Sequence, residues 1–294
     1  MSAVAVVAHA GKTLGGGLEE LRQVLRRHEI ADPLWYEVPK SKEAPRRVEQ
    51  VLEEGAELVF VWGGDGMVQR SIDVLAGSGA TLAIVPAGTA NLFASNLGIP
   101  KDIEAAVGVG LHGREVELDV GRLNGEHFAV MAGAGFDALM IRDADGGLKD
   151  RLGRVAYVWT GSKHLRAKPF KARIEIDGGP WYEGKASCIL VGNVGALFGG
   201  VEAFDNAEPD DGLLELGVVS ADGLVDWART LARTAVGAAT KSPFVQTTKV
   251  KSAKIKLDRK VRYELDGGDR AKAKKLKVEV APGAVKVRVP VSAP

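Results

Sequence analysis

The chain has 294 residues and 31.0 kDa, 46% of them hydrophobic and 26% charged, enough for two domains with their own cores and too apolar for wholesale disorder. Lys and Arg (39) nearly balance Asp and Glu (38) for a net charge of +1, which argues against a dedicated nucleic-acid surface. A single cysteine, Cys188, excludes an internal disulfide and a multi-cysteine metal site.

The first residues lack a basic, then long apolar, leader pattern, so no secretory signal is read. The longest uncharged stretch, 74–100, is interrupted by Pro86, Asn91 and Asn96. It is no match for the roughly 20 apolar residues of a membrane span. The expectation is a soluble, cytoplasmic protein with no nucleic-acid partner.

In chain order, residues 3–8 form a short apolar run, and Leu18, Leu21, Val24 and Leu25 recur at helical spacing. Residues 34–38 read as a strand, and Val48, Val51 and Leu52 as one helix face. The continuous apolar run 58–62 suits a parallel strand buried on both faces. Val68, Ile72 and Leu75 return to helical spacing, 81–85 reads as a strand, and a short helix is expected near 90–96. This alternation predicts a doubly wound parallel α/β domain over 1–118.

After about Leu118 the period changes. Short alternating runs at 117–123, 127–132, 173–176, 187–191, 214–219, 254–257, 262–265, 276–280 and 285–289 are mostly bounded by turn residues. They predict a mainly antiparallel, sandwich-like second domain over 119–280, with 281–294 packing back on the first. Helical insertions are expected at 153–164 and 224–239. An exposed edge in the second domain would permit a homodimer.

The balanced total hides an asymmetry. Residues 249–277 hold twelve Lys or Arg against four Asp or Glu, so the rest of the chain sums to −7. One reading is an ordinary solvated strand face. The other is a patch that meets phosphates or an anionic membrane surface.

Three loops carry chemistry. Gly63-Gly64-Asp65-Gly66 follows the buried strand and precedes a helix. Glycines there let backbone N–H groups approach phosphate oxygens, and the helix N-terminus adds positive partial charge. Asp65 would repel bare phosphate, which suggests an intervening magnesium ion or water network. Pro86-Ala87-Gly88-Thr89-Ala90-Asn91 follows the next strand, with Thr89 placed to cap a helix and Asn91 offering donor and acceptor. His9-Ala10-Gly11-Lys12-Thr13 follows the first strand; Lys12 suits phosphate as a point charge, although the Walker A spacing is absent.

These turns, in this order, resemble the catalytic domain of the diacylglycerol and sphingosine kinase family, especially its soluble bacterial lipid kinases. Two later segments agree: Glu208-Pro209-Asp210-Asp211-Gly212-Leu213-Leu214 resembles the family's metal-binding turn, and Leu265-Asp266-Gly267 its Asp-Gly catalytic element. The resemblance implies an ATP-dependent lipid kinase with ATP between the domains. It assigns phosphate contacts to His9, Ala10, Gly11, Lys12, Thr13, Ser41, Gly63, Gly64, Asp65, Gly66, Met67, Gln69, Arg70, Thr89 and Asn91. It places Mg2+ on Asp211 and the backbone oxygens of Glu208 and Leu213, with Asp119 in the network joining metal to site. Asp266 would accept the proton of the lipid hydroxyl, since phosphoryl transfer depends mainly on alignment and charge stabilisation.

The chain departs from the family where Thr is replaced by Met67, Asn-Pro by Ala8-His9, Asp by Leu92 and the usual Glu by Gly268. Asp269 is therefore held as a reserve base. Two other functions stay open: an NAD kinase-like enzyme, and a non-catalytic lipid-binding regulator with a decayed site. A lipid substrate and a transient, peripheral contact with an anionic membrane are the expected partners. Phe128, Met131, Phe136, Leu139, Met140, Phe198 and Phe204 are candidates for an acyl pocket or for plain core.

Overall fold

The computed structural model describes residues 3–135, 169–195, 203–204, 207–221, 226 and 242–291. The helical insertions expected at 153–164 and 224–239 lie outside these residues except for Asp226, as do Phe136, Leu139, Met140 and Phe198. The chain forms two compact units, Met1–Leu118 with Gly283–Pro294, and Asp119–Pro282.

In the first unit, β1 (Ala3–His9), β2 (Leu34–Val38), β3 (Ala56–Gly63) and β4 (Thr81–Pro86) are parallel, in the order β2-β1-β3-β4. The apolar run of β3 is explained by its position. Leu58 through Gly63 are all buried, because helices cover both faces of the sheet. Those helices are α1 (Gly17–Arg27), α2 (Ala44–Glu53), α3 (Asp65–Leu75), the short α4 (Leu92–Asn96) and α5 (Ile103–His112), with a 3₁₀ turn at Ser41–Glu43. The strand order reverses direction between β1 and β3. In open α/β sheets, the crevice for a ligand opens beside the carboxyl ends of the strands at such a reversal. His9 closes β1 and Gly63 closes β3.

The second unit is antiparallel. One sheet runs β12 (Val245–Val250), β11 (Leu214–Val219), β10 (Cys188–Gly192), β7 (Met131–Ala134), β14 (Tyr263–Leu265) and β15 (Gly268–Asp269). In the other, the first part of β16 (Ala273–Val289) pairs with β13 (Ser252–Val261), followed by β8 (Phe170–Ile176) and β9 (Gly179–Ala186). A shared core including Phe128, Phe170, Ile189, Leu216, Ile255 and Val278 lies in this unit. Phe128, Met131 and Phe204 are all buried, and Phe128 belongs to that core, so it is packing rather than pocket lining. The last part of β16 leaves this unit, and Lys286 and Val287 pair in parallel with Thr81 and Leu82 of β4.

Several elements differ from the pattern in the sequence. The run 127–132 is two strands, β6 (Glu126–Phe128) and β7, because the amides of Ala129, Val130 and Met131 turn to a carboxylate instead of a neighbouring strand. The runs 276–280 and 285–289 are one strand that passes through Pro282. The helix expected from Ala90 begins at Leu92, because Asn91 adopts left-handed backbone with φ 49°.

Candidate functional site

Four loops gather at the carboxyl end of the first unit's sheet. The Trp62 indole donates to the Lys12 carbonyl at 3.2 Å, tying the loop after β1 to β3. The Lys12 amide in turn donates to the His9 carbonyl at 3.0 Å, which tightens the loop into a turn. Gly11 donates its N–H to His9 Nδ1 at 3.1 Å. With Nδ1 accepting, His9 carries its proton on Nε2. Burial, then the Lys12 charge, lowers its pKa, so the ring is neutral at physiological pH. Gly11, Lys12 and Thr13 are exposed on this loop.

The two glycine turns after β3 and β4 touch. A Cβ added to Gly64 would lie 3.0 Å from Gly88 Cα, and one added to Gly88 would lie 2.6 Å from Asn91 Oδ1. Both positions thus require glycine for closeness of approach, not for turn geometry. The turn is held from within by Asn91. Its Oδ1 accepts from Gly88 N at 2.8 Å, and its Nδ2 donates to the carbonyls of Gly88 at 2.8 Å and Pro86 at 3.4 Å. Gly66 and Thr89 remain exposed at the rim. Ser41 Oγ lies 4.0 Å from where a Cβ on Gly66 would stand, so the 3₁₀ turn joins the same rim.

Asp65 sits in the first turn of α3, and its Oδ1 accepts from Phe93 N at 3.3 Å. It therefore caps α4 from across the loop, the role expected of Thr89. Burial raises its pKa, opposed by the backbone N–H groups of Phe93, Leu92 and Asn91 and its own. Asp65 is thus a partly buried carboxylate whose ionised form is supported by the N–H groups at two helix N-termini.

The structure thus brings His9 through Thr13, Ser41, Gly63 through Gly66 and Thr89 to one place. Three other expected contacts have different work. Met67 is 1% exposed and packs in the core, with its side chain against Gly63. Gln69 is 2% exposed and donates to Asp73 Oδ2 at 3.0 Å along its own helix. Asn91 spends its amide on the loop. Arg70 is half-buried on α3.

The second unit holds the other expected residues. Asp266 and Gly267 form the two-residue loop between β14 and β15, with φ 45° and 77°. Positive φ at both central positions defines the hairpin turn for which Asp-Gly is the preferred pair. The Asp266 carboxylate faces inward and accepts from Ala129 N at 2.8 Å, Val130 N at 2.9 Å and Met131 N at 2.8 Å. Asp269, half exposed, accepts from Arg262 at 3.3 Å.

A further residue connects these parts. Asn193, 1% exposed, donates from Nδ2 to the carbonyls of Asp119 at 2.8 Å and Ala129 at 3.0 Å. Asp119 accepts from Gly212 N at 2.6 Å and donates its own N–H to the Pro209 carbonyl at 2.6 Å. Direct hydrogen bonds and short backbone links thus run from the 208–213 turn through Asp119, Asn193 and Ala129 to Asp266. Asp119 was expected in such a network. Asn193 was not, because an asparagine after a buried strand looks like any loop residue.

The 208–213 turn was expected to hold Mg2+. Its charged donor, Asp211, already accepts from Leu213 N at 2.9 Å on Oδ1 and from Lys249 Nζ at 2.7 Å on Oδ2. With both Asp211 oxygens so engaged, that donor set does not fit a divalent ion. Glu208 is exposed beside it and Leu213 is half-buried.

Comparison with known proteins places this geometry. Residues 4–123 match the model of the diacylglycerol kinase catalytic domain, and residues 130–289 that of the YegS C-terminal NAD kinase beta sandwich-like domain. A Klebsiella pneumoniae protein named "Probable lipid kinase YegS-like" is 30% identical over 86% of this chain and 84% of its own. A diacylglycerol kinase of Bacillus subtilis is 30% identical over 72% of this chain and 71% of its own. The crystal structure of a Bacillus anthracis diacylglycerol kinase covers 98% of this chain and 97% of its own, with TM-score 0.74 at 22% identity.

Proposed function

Because the chain belongs to the diacylglycerol kinase family, we propose that it is an ATP-dependent lipid kinase that transfers the γ-phosphate to a hydroxyl of diacylglycerol or a similar lipid. The observation that carries this reading is the contact between the Gly64 and Gly88 turns beside the β1–β3 reversal. Two glycine turns packed backbone against backbone at the N-terminus of α3 suit a phosphate chain, whose charge the helix end would favour. Lys12 supplies a point charge at its edge, and neutral His9 a donor. ATP would bring its own magnesium, and Asp65 is the carboxylate placed to meet it.

Asp266 is proposed as the group that orients the acceptor hydroxyl and takes its proton. Phosphoryl transfer through a loose transition state asks for position more than for a strong base. Three amide donors fix the orientation of this carboxylate. Asp269 is paired with Arg262 and open to solvent, which suits the role less. Among the described residues no helix is long and apolar enough to cross a membrane. The lipid would therefore be met at a bilayer surface.

The test is phosphate transfer from labelled ATP with a panel of lipids in mixed micelles and with NAD as a competing acceptor. Label in a lipid supports the reading. Label in NAD alone would favour the NAD kinase alternative, and lipid binding without transfer the regulatory one.

A further inference from the structure

The 208–213 turn carries a cation of its own. Lys249 on β12 stands directly opposite Glu215 on β11. Its ammonium is 2.7 Å from Asp211 Oδ2 and 3.7 Å from Glu215 Oε1. Asp211 and Glu215 are mostly buried, with side chains 19% and 12% exposed. The other oxygen of Asp211 holds the Leu213 amide. Both carboxylates therefore face one ammonium, which offsets part of their charge from within the chain, and the Leu213 amide helps to fix the turn.

Magnesium needs a near-octahedral shell with oxygens at about 2.0–2.1 Å and gives up water reluctantly. An ammonium in hydrogen-bond contact with the charged ligand oxygen occupies that shell and repels a second cation. We propose that Lys249 is a built-in counter-ion that takes the place of a divalent metal at this turn, so that the Asp211–Asp119–Asn193–Asp266 connection holds its shape in the absence of magnesium. Burial sharpens the point: a carboxylate left unpaired at this depth costs stability, whereas one paired within the chain does not depend on ion concentration. The proposal rests on geometry alone and is tested without nucleotide or lipid, so its failure would leave the kinase reading untouched.

The experiment is thermal unfolding of the full chain without substrates, in EDTA and across a magnesium titration to 10 mM or so, a range for weak protein sites. Wild type should unfold at the same temperature throughout. Lys249→Met keeps the aliphatic stem and removes the charge. It should unfold about 2–4 °C lower in EDTA, the shift expected for roughly 1 kcal/mol in a domain of this size. It should also recover saturably with magnesium as the ion enters the place left open. Lys249→Arg should behave as wild type, and the double variant Lys249→Met, Asp211→Asn should show no magnesium response.

A saturable rise of the wild-type midpoint with magnesium that is lost in Asp211→Asn would overturn the proposal. So would a Lys249→Met midpoint equal to wild type in EDTA, or one that magnesium fails to raise. Should Lys249→Met not fold, the wild-type titration and its Asp211→Asn control decide alone.

Discussion

Asp65 carries an energetic cost of burial that the proposed phosphate site would put to use. Its raised pKa means that the folded chain keeps a proton at a pH where the unfolded chain has lost it. Stability therefore falls as pH rises through the window just above the ordinary aspartate range, and the ionised carboxylate is a burden at neutral pH. Asp65→Asn should unfold at an equal or higher temperature at pH 7 and lose that part of the pH dependence. Its turnover should fall by about 10²-fold or more. A variant that keeps its turnover would remove Asp65 from the site. Gly88→Ala tests the neighbouring cradle. Its Cβ would press on Gly64 and Asn91, so we expect a loss of about 1–3 kcal/mol in chemical denaturation together with activity. The glycines were legible because only backbone can approach backbone so closely. The task of Asn193 was not, because its partners lie 64 and 74 residues away in sequence, and Asn91 was read as a ligand contact although its amide serves its own loop, three and five residues back.

The β14–β15 hairpin joins its turn chemistry to the residue proposed as the base, Asp266. Asp-Gly suits the two positive-φ positions, and the same aspartate anchors three amides of another segment. Hydrogen bonds to a charged acceptor contribute about 1.5–3 kcal/mol each. Asp266→Asn, which replaces an acceptor oxygen by a donor, should lower the midpoint of thermal unfolding by several degrees and lower turnover. Asp269→Asn should change neither appreciably. Loss of stability in Asp266→Asn with full turnover would leave Asp266 an anchor and nothing more. The strands that escaped the sequence pattern are β9, β12 and the two-residue β15. All are at the ends of their sheets, and β9 contains Pro180 and β12 two adjacent threonines. An edge strand buries less and pairs on one side, so its sequence need not alternate cleanly. Central strands such as β3 and β11 had no such freedom and were readable.

For the protein as a whole, the basic segment 249–277 resolves into separate uses. Lys249 is committed to Asp211. Lys254 and Lys256 lie opposite Lys277 and Lys275 on one exposed face, alternating with buried Ala253, Ile255 and Leu257. Like charges directly opposite cost stability, a cost offset in part within the chain, where Lys256 lies 3.8 Å from Glu175 and Lys277 2.9 Å from Glu279; we propose that the remaining positive face meets an anionic surface. Lys254→Gln, Lys256→Gln and Lys275→Gln together should leave the unfolding midpoint unchanged or slightly higher. Binding to anionic vesicles should weaken, since each basic residue contributes on the order of 1 kcal/mol there, while turnover on a short-chain soluble lipid persists. Equal loss on both substrates would place these lysines in the fold or the site. Charge counting in the sequence found the surplus but could not divide it, because register decides which lysines share a face.

The first unit is not continuous in sequence: Lys286 and Val287 pair with β4 only after the whole second unit has intervened. At a ribosome moving roughly 5–20 residues per second, that segment emerges some tens of seconds after β4. Throughout that interval the β4 edge offers unpaired backbone groups beside Thr81 and Leu82, the arrangement from which strangers' strands nucleate. The nascent chain therefore has a birth hazard that the finished molecule lacks. Residues 1–118 expressed alone should sediment as aggregate, and co-expression of the remainder in trans should keep more of them in the supernatant.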